Sequence, residues 1–367
     1  GLSLFNYIGE EYGQEKLIEI SQKFCSNPKI GINNTFKMVL GKSIDEIYKD
    51  WQEKMNTKFK KTKSRIQKNR ITEITPITNK GWNSKNIDLS PEGEIAYIHS
   101  GNMFPSLRLI NKSGHDQHLL SIISPASERI SWSQSGNKIL YSKLNYYDYK
   151  SLYYDLYLYN INKNKEIRIT EGERAYSPVW KNDHSIIYLV QKNSFIYLKE
   201  INLKTNQKKI LLKGNNKVKF SHLALSPDKN KLLLSLWYNG TRDIYQYSLT
   251  EDTLKPMICN QYMNIYPQWT PDGKYILFSS DRNGIFNLYA YQVNKNQFFQ
   301  ITNTYTGAFE VKYNDIKDEI VFIGYSENGY NLFSVSGKVE NWKPIDNSRF
   351  NHINKKNKEI INTIDKI

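Results

Sequence analysis

The chain has 367 residues, 39% hydrophobic and 13% aromatic, with 51 Lys and Arg against 36 Asp and Glu and a formal net charge of +15. That length and apolar content exclude a disordered chain and leave room for more than one domain, and no run reaches the roughly 20 apolar residues of a membrane-spanning helix. The basic excess does not define a nucleic-acid surface, because the lysines are scattered along expected strand edges and turns, often beside Asn. Cys25 and Cys259 fall in different expected domains, so they build neither a disulfide framework nor a zinc cluster. The first residues form no signal peptide and no start methionine, so a fragment or processed product is expected, with any targeting signal upstream.

Residues 1–57 read as short helices. Leu4, Phe5, Ile8 and Tyr12 share one helical face that Gly13 ends, and Leu17, Ile18, Ser21 and Phe24 continue a second stripe until Ser26-Asn27-Pro28. A short helix over Thr35–Leu40 stops at Gly41. Ser43 and Glu46 have capping-box spacing, and Ile44, Ile47, Tyr48, Trp51 and Met55 keep the helical period behind them. So few residues make a marginal independent core, and a missing neighbour is expected to cover it. The segments Phe5–Leu17 and Phe36–Trp51, with Tyr12-Gly13 and Leu40-Gly41-Lys42-Ser43, resemble the C-terminal helices of gluzincin-type zinc metallopeptidase domains. The resemblance implies a zinc site upstream of Gly1. The family's chemistry needs His-Glu-x-x-His, which this chain lacks, so no catalytic residue and no cofactor or metal site is expected here.

Residues 58–70 carry Lys58, Lys60, Lys61, Lys63, Arg65, Lys68 and Arg70 without an acid. This run reads as a solvated linker or helix extension, or as a contact for an acidic surface or anionic lipid. Gly41-Lys42-Ser43 mimics the end of a phosphate loop, but Phe36 stands where that loop needs glycine. His115 and His118 lie in an expected surface turn, and no Gly-x-Ser-x-Gly nucleophile elbow occurs.

The strongest signal is a repeat. Leu89, Trp132, Trp180, Leu225, Trp269 and Tyr313 each precede a turn and a strand, at intervals of about 44 residues. The unit is clearest in Trp269-Thr-Pro-Asp-Gly273, where Pro271 presets φ, Asp272 suits the next position and Gly273 takes positive φ. Strands at Tyr275–Phe278, Phe286–Tyr291 and Phe298–Thr302 follow it. Four strands per period and six periods imply an all-β six-bladed propeller over residues 71–345, behind the small N-terminal helical segment and before a polar tail at 346–367. Either Ile71–Thr78 or Trp342–Ile345 closes the ring, since closure removes exposed sheet edges.

The repeat resembles the TolB-like propeller, whose units read roughly Trp-Ser-Pro-Asp-Gly-Lys, Ser-Asp-Arg-x-Gly, Leu-Tyr and Leu-Thr; units 3 and 6 lack the Pro and Gly of the turn. The resemblance implies an extracytoplasmic location. Trp132, Trp180 and Trp269 recur at one register and are assigned to packing between blades. The unit 2 loop is the odd one, with Tyr146, Tyr147, Tyr149, Tyr153 and Tyr154, which either pack down or form a partner-binding rim. Asp281 and Arg282 share that candidate rim and read more simply as turn residues. The expected function is a noncatalytic binding or gating module for protein or peptide, attached to an upstream peptidase-like domain. The alternatives are a TolB-like envelope scaffold and the propeller of a serine peptidase whose hydrolase domain is missing.

Overall fold

A computed structural model of the chain describes residues 1–122 and 129–346. The expected tail lies outside the described residues from position 347 onward, as does His352. The chain divides into two compact units, Gly1–Arg70 and Ile71–Ile367.

The first unit is helical: α1 (Leu2–Tyr12), α2 (Gln14–Ser26), α3 (Ile32–Leu40) and α4 (Ile44–Ile66), with a 3₁₀ turn at Pro28–Ile30. Gly41 ends α3 in the left-handed conformation at φ 76°. Ser43 opens α4 with both arms of the capping box, its hydroxyl accepting from the Glu46 amide and its own amide donating to the Glu46 carboxylate at 2.7 Å. The α3 helix starts three residues before the expected Thr35, because Ile32 continues directly from Gly31 and the Thr35 hydroxyl bonds the Gly31 carbonyl. Tyr7, Ile8, Ile20, Phe36, Val39 and Ile47 form its small core. Lys58–Ile66 is the C-terminal extension of α4.

The second unit is almost entirely β. Its strands form antiparallel four-stranded units, whose first strands are Trp82–Leu89, Ser131–Trp132, Ala175–Asn182, Lys219–Leu225, Asn264–Trp269 and Ala308–Asn314. The turn between first and second strands of unit 5 follows its residues: Gly273 adopts φ 68° and its amide donates to the Thr270 carbonyl, while the Asp272 carboxylate accepts from the Thr270 hydroxyl and the Lys274 amide. Units 6 and 1 are joined by a short parallel pairing of Trp82 and Asn83 with Gly329 and Tyr330.

The core is not central. Buried apolar side chains gather in separate clusters, each between two consecutive units. Ala96, Ile98 and Leu107 of unit 1 meet Trp132, Ile139 and Tyr141 of unit 2. Leu140 and Leu156 of unit 2 meet Trp180 and Ile186 of unit 3. Ala224 and Leu233 of unit 4 meet Trp269 and Ile276 of unit 5, and Val321 and Leu332 of unit 6 meet Ile87 and Ile95 of unit 1. Each repeated tryptophan is therefore a wedge between its own unit and the preceding one, at 5–6% exposure.

Both candidate closing segments are used, in different places. Thr75–Pro76 pairs with Ser334 and Phe333 of unit 6 and supplies its fourth strand, whereas Lys343–Ile345 adds a fifth strand to unit 5. The reason is local. In units 2 and 5 the threonine of Ile-Thr accepts from the amide of the third-strand leucine, Thr170 from Leu156 and Thr302 from Leu288, and donates to Asp155 or Asn287. Thr78 repeats this arrangement with Leu332 and Asn331. Replacing Thr78 with Val leaves the Leu332 amide buried without that acceptor, and we expect it to lower urea-unfolding stability by about 1–3 kcal/mol. Unchanged stability would show that this joint contributes nothing to closure.

Candidate functional site

Three residues before each repeat anchor stand Asn86, Arg129, Ser177, His222, Tyr266 and Glu310, all on first strands except Arg129, which precedes that of unit 2. All but Arg129 have φ between 50° and 56°, which is unusual for residues with a Cβ. The pairing registers explain this: each of those strands bulges at that point, between Lys85 and Asp88, Tyr176 and Val179, Ser221 and Ala224, Ile265 and Gln268, and Phe309 and Lys312. In these five units the bulge re-aims the side chain out of the regular alternation of its strand.

These groups contact one another across unit boundaries. The Glu310 carboxylate accepts from the Asn86 and Ile87 amides, joining unit 6 to unit 1. Beside it the Lys312 ammonium pairs with Asp88 at 2.6 Å, and the other Asp88 oxygen accepts from the Trp132 amide of unit 2. Arg129 of unit 2 donates to the Gln268 side chain of unit 5 at 2.9 Å. His222 lies against the Tyr266 ring, with centroids 4.1 Å apart, and its Nδ1 is 3.2 Å from the Ser221 hydroxyl. Burial, then the nearby Arg242 and Arg129 charges, hold His222 well below its usual range and therefore neutral near pH 7. Burial pushes the Glu310 carboxyl up to about 7, against the pull of its two backbone donors. Burial, with Arg129 next, pushes Lys312 down to about 8.

The rim residues expected from sequence lie elsewhere, on the face that carries the turns between second and third strands. Unit 2 projects a long hairpin, Lys138–Tyr147 and Ser151–Asn160, whose turn places Asp148 and Tyr149 at positive φ. Tyr149 is 96% exposed and Tyr146 65%. Tyr147 and Tyr153 stack at 5.6 Å, and the Arg174 guanidinium lies over the Tyr153 ring. Tyr154 is half-buried. The loop thus divides: Tyr147 and Tyr153 hold the hairpin together while Tyr146 and Tyr149 face outward. Asp281 accepts from the Met263 amide, and Arg282 lies across the Tyr289 and Tyr262 rings, pushed down to about 10 by burial. Both hold their turn in place.

The same face carries Trp82, Met103, Phe104, Tyr305, Tyr325 and Tyr330, all exposed, from units 1 and 6 and the connection between units 5 and 6. On units 3 and 4 the equivalent turns are Asn193-Ser194 and Asn239-Gly240. On this face the exposed large apolar side chains therefore gather on units 1, 2 and 6 and on the connection before unit 6. Sequence reading found the tyrosine hairpin because it broke the repeat, but it missed the axial residues. Their signal was available: three positions before each anchor the repeat abandons a common residue type.

The sequence pattern of the TolB beta propeller domain matches residues 150–354, more than half of the chain. The chain belongs to the TolB beta propeller domain family. Among solved structures it is similar to TolB from Acinetobacter baumannii, at 18% identity and TM-score 0.56, over 72% of this chain and 64% of that one. It therefore spans less than two thirds of the length of that protein. It is also similar to the putative TolB from Agrobacterium tumefaciens, at 14% identity and TM-score 0.54, over 67% of this chain and 88% of that one. An oligogalacturonate lyase in complex with manganese matches at 12% identity and TM-score 0.51, over 72% of this chain and 80% of that one. At these identities the likeness is one of fold alone.

The axial charges give a pH dependence with a defined sign. Glu310 binds its proton more tightly when folded, so its stabilising contribution is full below about 4.5 and is lost as pH rises toward about 7. Lys312 acts in the opposite sense between about 8 and 10.5, where stability recovers. We expect Glu310→Gln to remove a downward slope of at most about 1.4 kcal/mol per pH unit from urea-unfolding stability between pH 5 and 7. An identical slope in the variant would refute the assignment.

Proposed function

We propose that residues 71–345 form a closed six-bladed propeller that serves as a noncatalytic recognition module for protein or peptide chains. Contacts between first strands support the ring: each touches the next through the six units, and the last touches the first. The observation that carries the recognition role is the cluster of exposed side chains Trp82, Met103, Phe104, Tyr146 and Tyr149 on one face of units 1 and 2. Aromatic residues and Met are the side chains that dominate the binding energy of protein interfaces, and a patch of them on one face of a repeat fold marks a contact surface. In this reading the helical unit belongs to an upstream zinc-peptidase-like domain. Its support is the apolar surface left uncovered at Leu2, Phe5, Ile18 and Met38. No helix among the described residues is long and apolar enough to cross a membrane. An extracytoplasmic site of action accords with the family.

The test is selection of a random peptide library on the immobilised chain. Enriched peptides should lose at least about tenfold in affinity for a Phe104→Ser, Tyr146→Ser, Tyr149→Ser variant, equivalent to about 1.4 kcal/mol. The variant's melting temperature should stay within about 3 °C of the parent, because these side chains are exposed. Peptides that bind the variant equally well, or no enrichment at all, would sink the proposal.

A further inference from the structure

On the opposite face, the turns after the first strands of units 1, 2, 5 and 6 surround a cavity of about 360 Å³. Ser90, Ser133, Gln134, Gln268 and Asn314 contribute to its walls, and Asp88 and Lys312 reach it from the axis. A second cavity of about 20 Å³ adjoins it at Lys312, against Asn86, Arg129, Tyr266 and Glu310. It has room for one small polar group.

We propose that this axial pocket binds a single carboxylate, delivered through the larger cavity and held by the Arg129 guanidinium with Lys312 as the second cation. The Arg129 side chain carries the argument. One terminal nitrogen is engaged by Gln268, but Nε is shielded from solvent and has no hydrogen-bond partner among the described residues. A guanidinium presents Nε and a terminal nitrogen as a fork that matches the two oxygens of a carboxylate, and a shielded donor without an acceptor costs about 1–3 kcal/mol. The acids nearby are already committed. Asp88 accepts from Lys312 and the Trp132 amide, and Glu310 accepts from two backbone amides of unit 1. The charges that face Arg129 are Asp88, Glu310 and Lys312; those that face Glu310 are Lys312, Lys85 and Arg129; His222, near the Arg129 and Arg242 charges, is neutral. When Glu310 takes up its proton, the pocket holds two cations and one carboxylate. A planar anion of one charge restores the balance.

The bulged backbone fits this role. Holding Asn86, His222, Tyr266 and Glu310 at positive φ costs on the order of 1 kcal/mol each, and such strain is typical of positions where a side chain must be aimed at a ligand. The site lies on the face away from the apolar patch, so it stands independently of the peptide-recognition reading. The carboxylate has two possible sources, a free small acid and the C-terminus of a chain entering the cavity.

The experiment is a titration of the ¹⁵N-labelled full chain, following the Arg129 Nε–H resonance, which is assigned by its loss in Arg129→Gln. The probes are acetate, acetamide, triglycine and triglycinamide at constant ionic strength. Acetate and triglycine should give saturable shifts at pH 6, about tenfold weaker at pH 8 given a Glu310 group that titrates near 7. Acetamide and triglycinamide should give none. Tighter binding of triglycine than acetate assigns the site to a chain terminus, and comparable binding assigns it to a free acid. No saturable shift with either carboxylate, or equal shifts with the amides, overturns the proposal. Glu310→Gln provides a second reading should Arg129→Gln not fold: acetate affinity should become far less dependent on pH between 6 and 7, and retention of the parent dependence overturns the proposal.

Discussion

A four-stranded antiparallel sheet with apolar side chains on both faces has no side to offer to water. In this protein the consequence is met six times, as each unit buries one face on the preceding unit and the other on the next. The apolar clusters straddle units, so the second unit of the chain has no single core whose loss can be pictured locally. This is why the tryptophans recur at one register. Trp132, Trp180 and Trp269 fill space between consecutive units, where a smaller side chain would leave a void. It is also why the joint between the last and first units needs its own devices: the threonine-mediated fourth strand, the short parallel pairing at Trp82, and the Glu310 and Lys312 contacts to unit 1.

Where first strands of different units approach one another, polar side chains meet across unit boundaries. The bulges interrupt the regular pairing of five of the first strands and re-aim one residue in each. The chemistry differs from unit to unit because no two neighbours are alike: Glu310 meets backbone amides, Arg129 reaches across to unit 5, and His222 finds an aromatic ring. Desolvation then moves the Glu310 and Lys312 groups toward neutrality from opposite sides. Repetition supplies the scaffold, and departures from repetition supply both candidate surfaces.

How much of this is legible without coordinates depends on the range of the interaction. Turn chemistry, capping and strand period are decided within about five residues, so Trp269–Gly273, Gly41 and the Ser43–Glu46 box can be read directly. The tyrosine hairpin was visible as an interruption of the repeat, yet the sequence could not divide it into Tyr147 and Tyr153, which pack, and Tyr146 and Tyr149, which project, because alternation sorts side chains only once the strand's neighbours are known.

By itself the sequence determined the repeating β unit and its turns, along with the helical segment before it, because these rest on local propensity and on a period written into the chain. Only the tertiary structure decided that Thr75–Pro76 completes unit 6 while Lys343–Ile345 is added to unit 5. Both segments are extended and apolar enough for either edge, and the choice is made by a threonine meeting an asparagine some 250 residues away. The axial cluster belongs to the same category. Asp88 and Lys312, or Arg129 and Gln268, are strangers in sequence, and their low-dielectric contact exists only because the tertiary structure brings first strands of different units together.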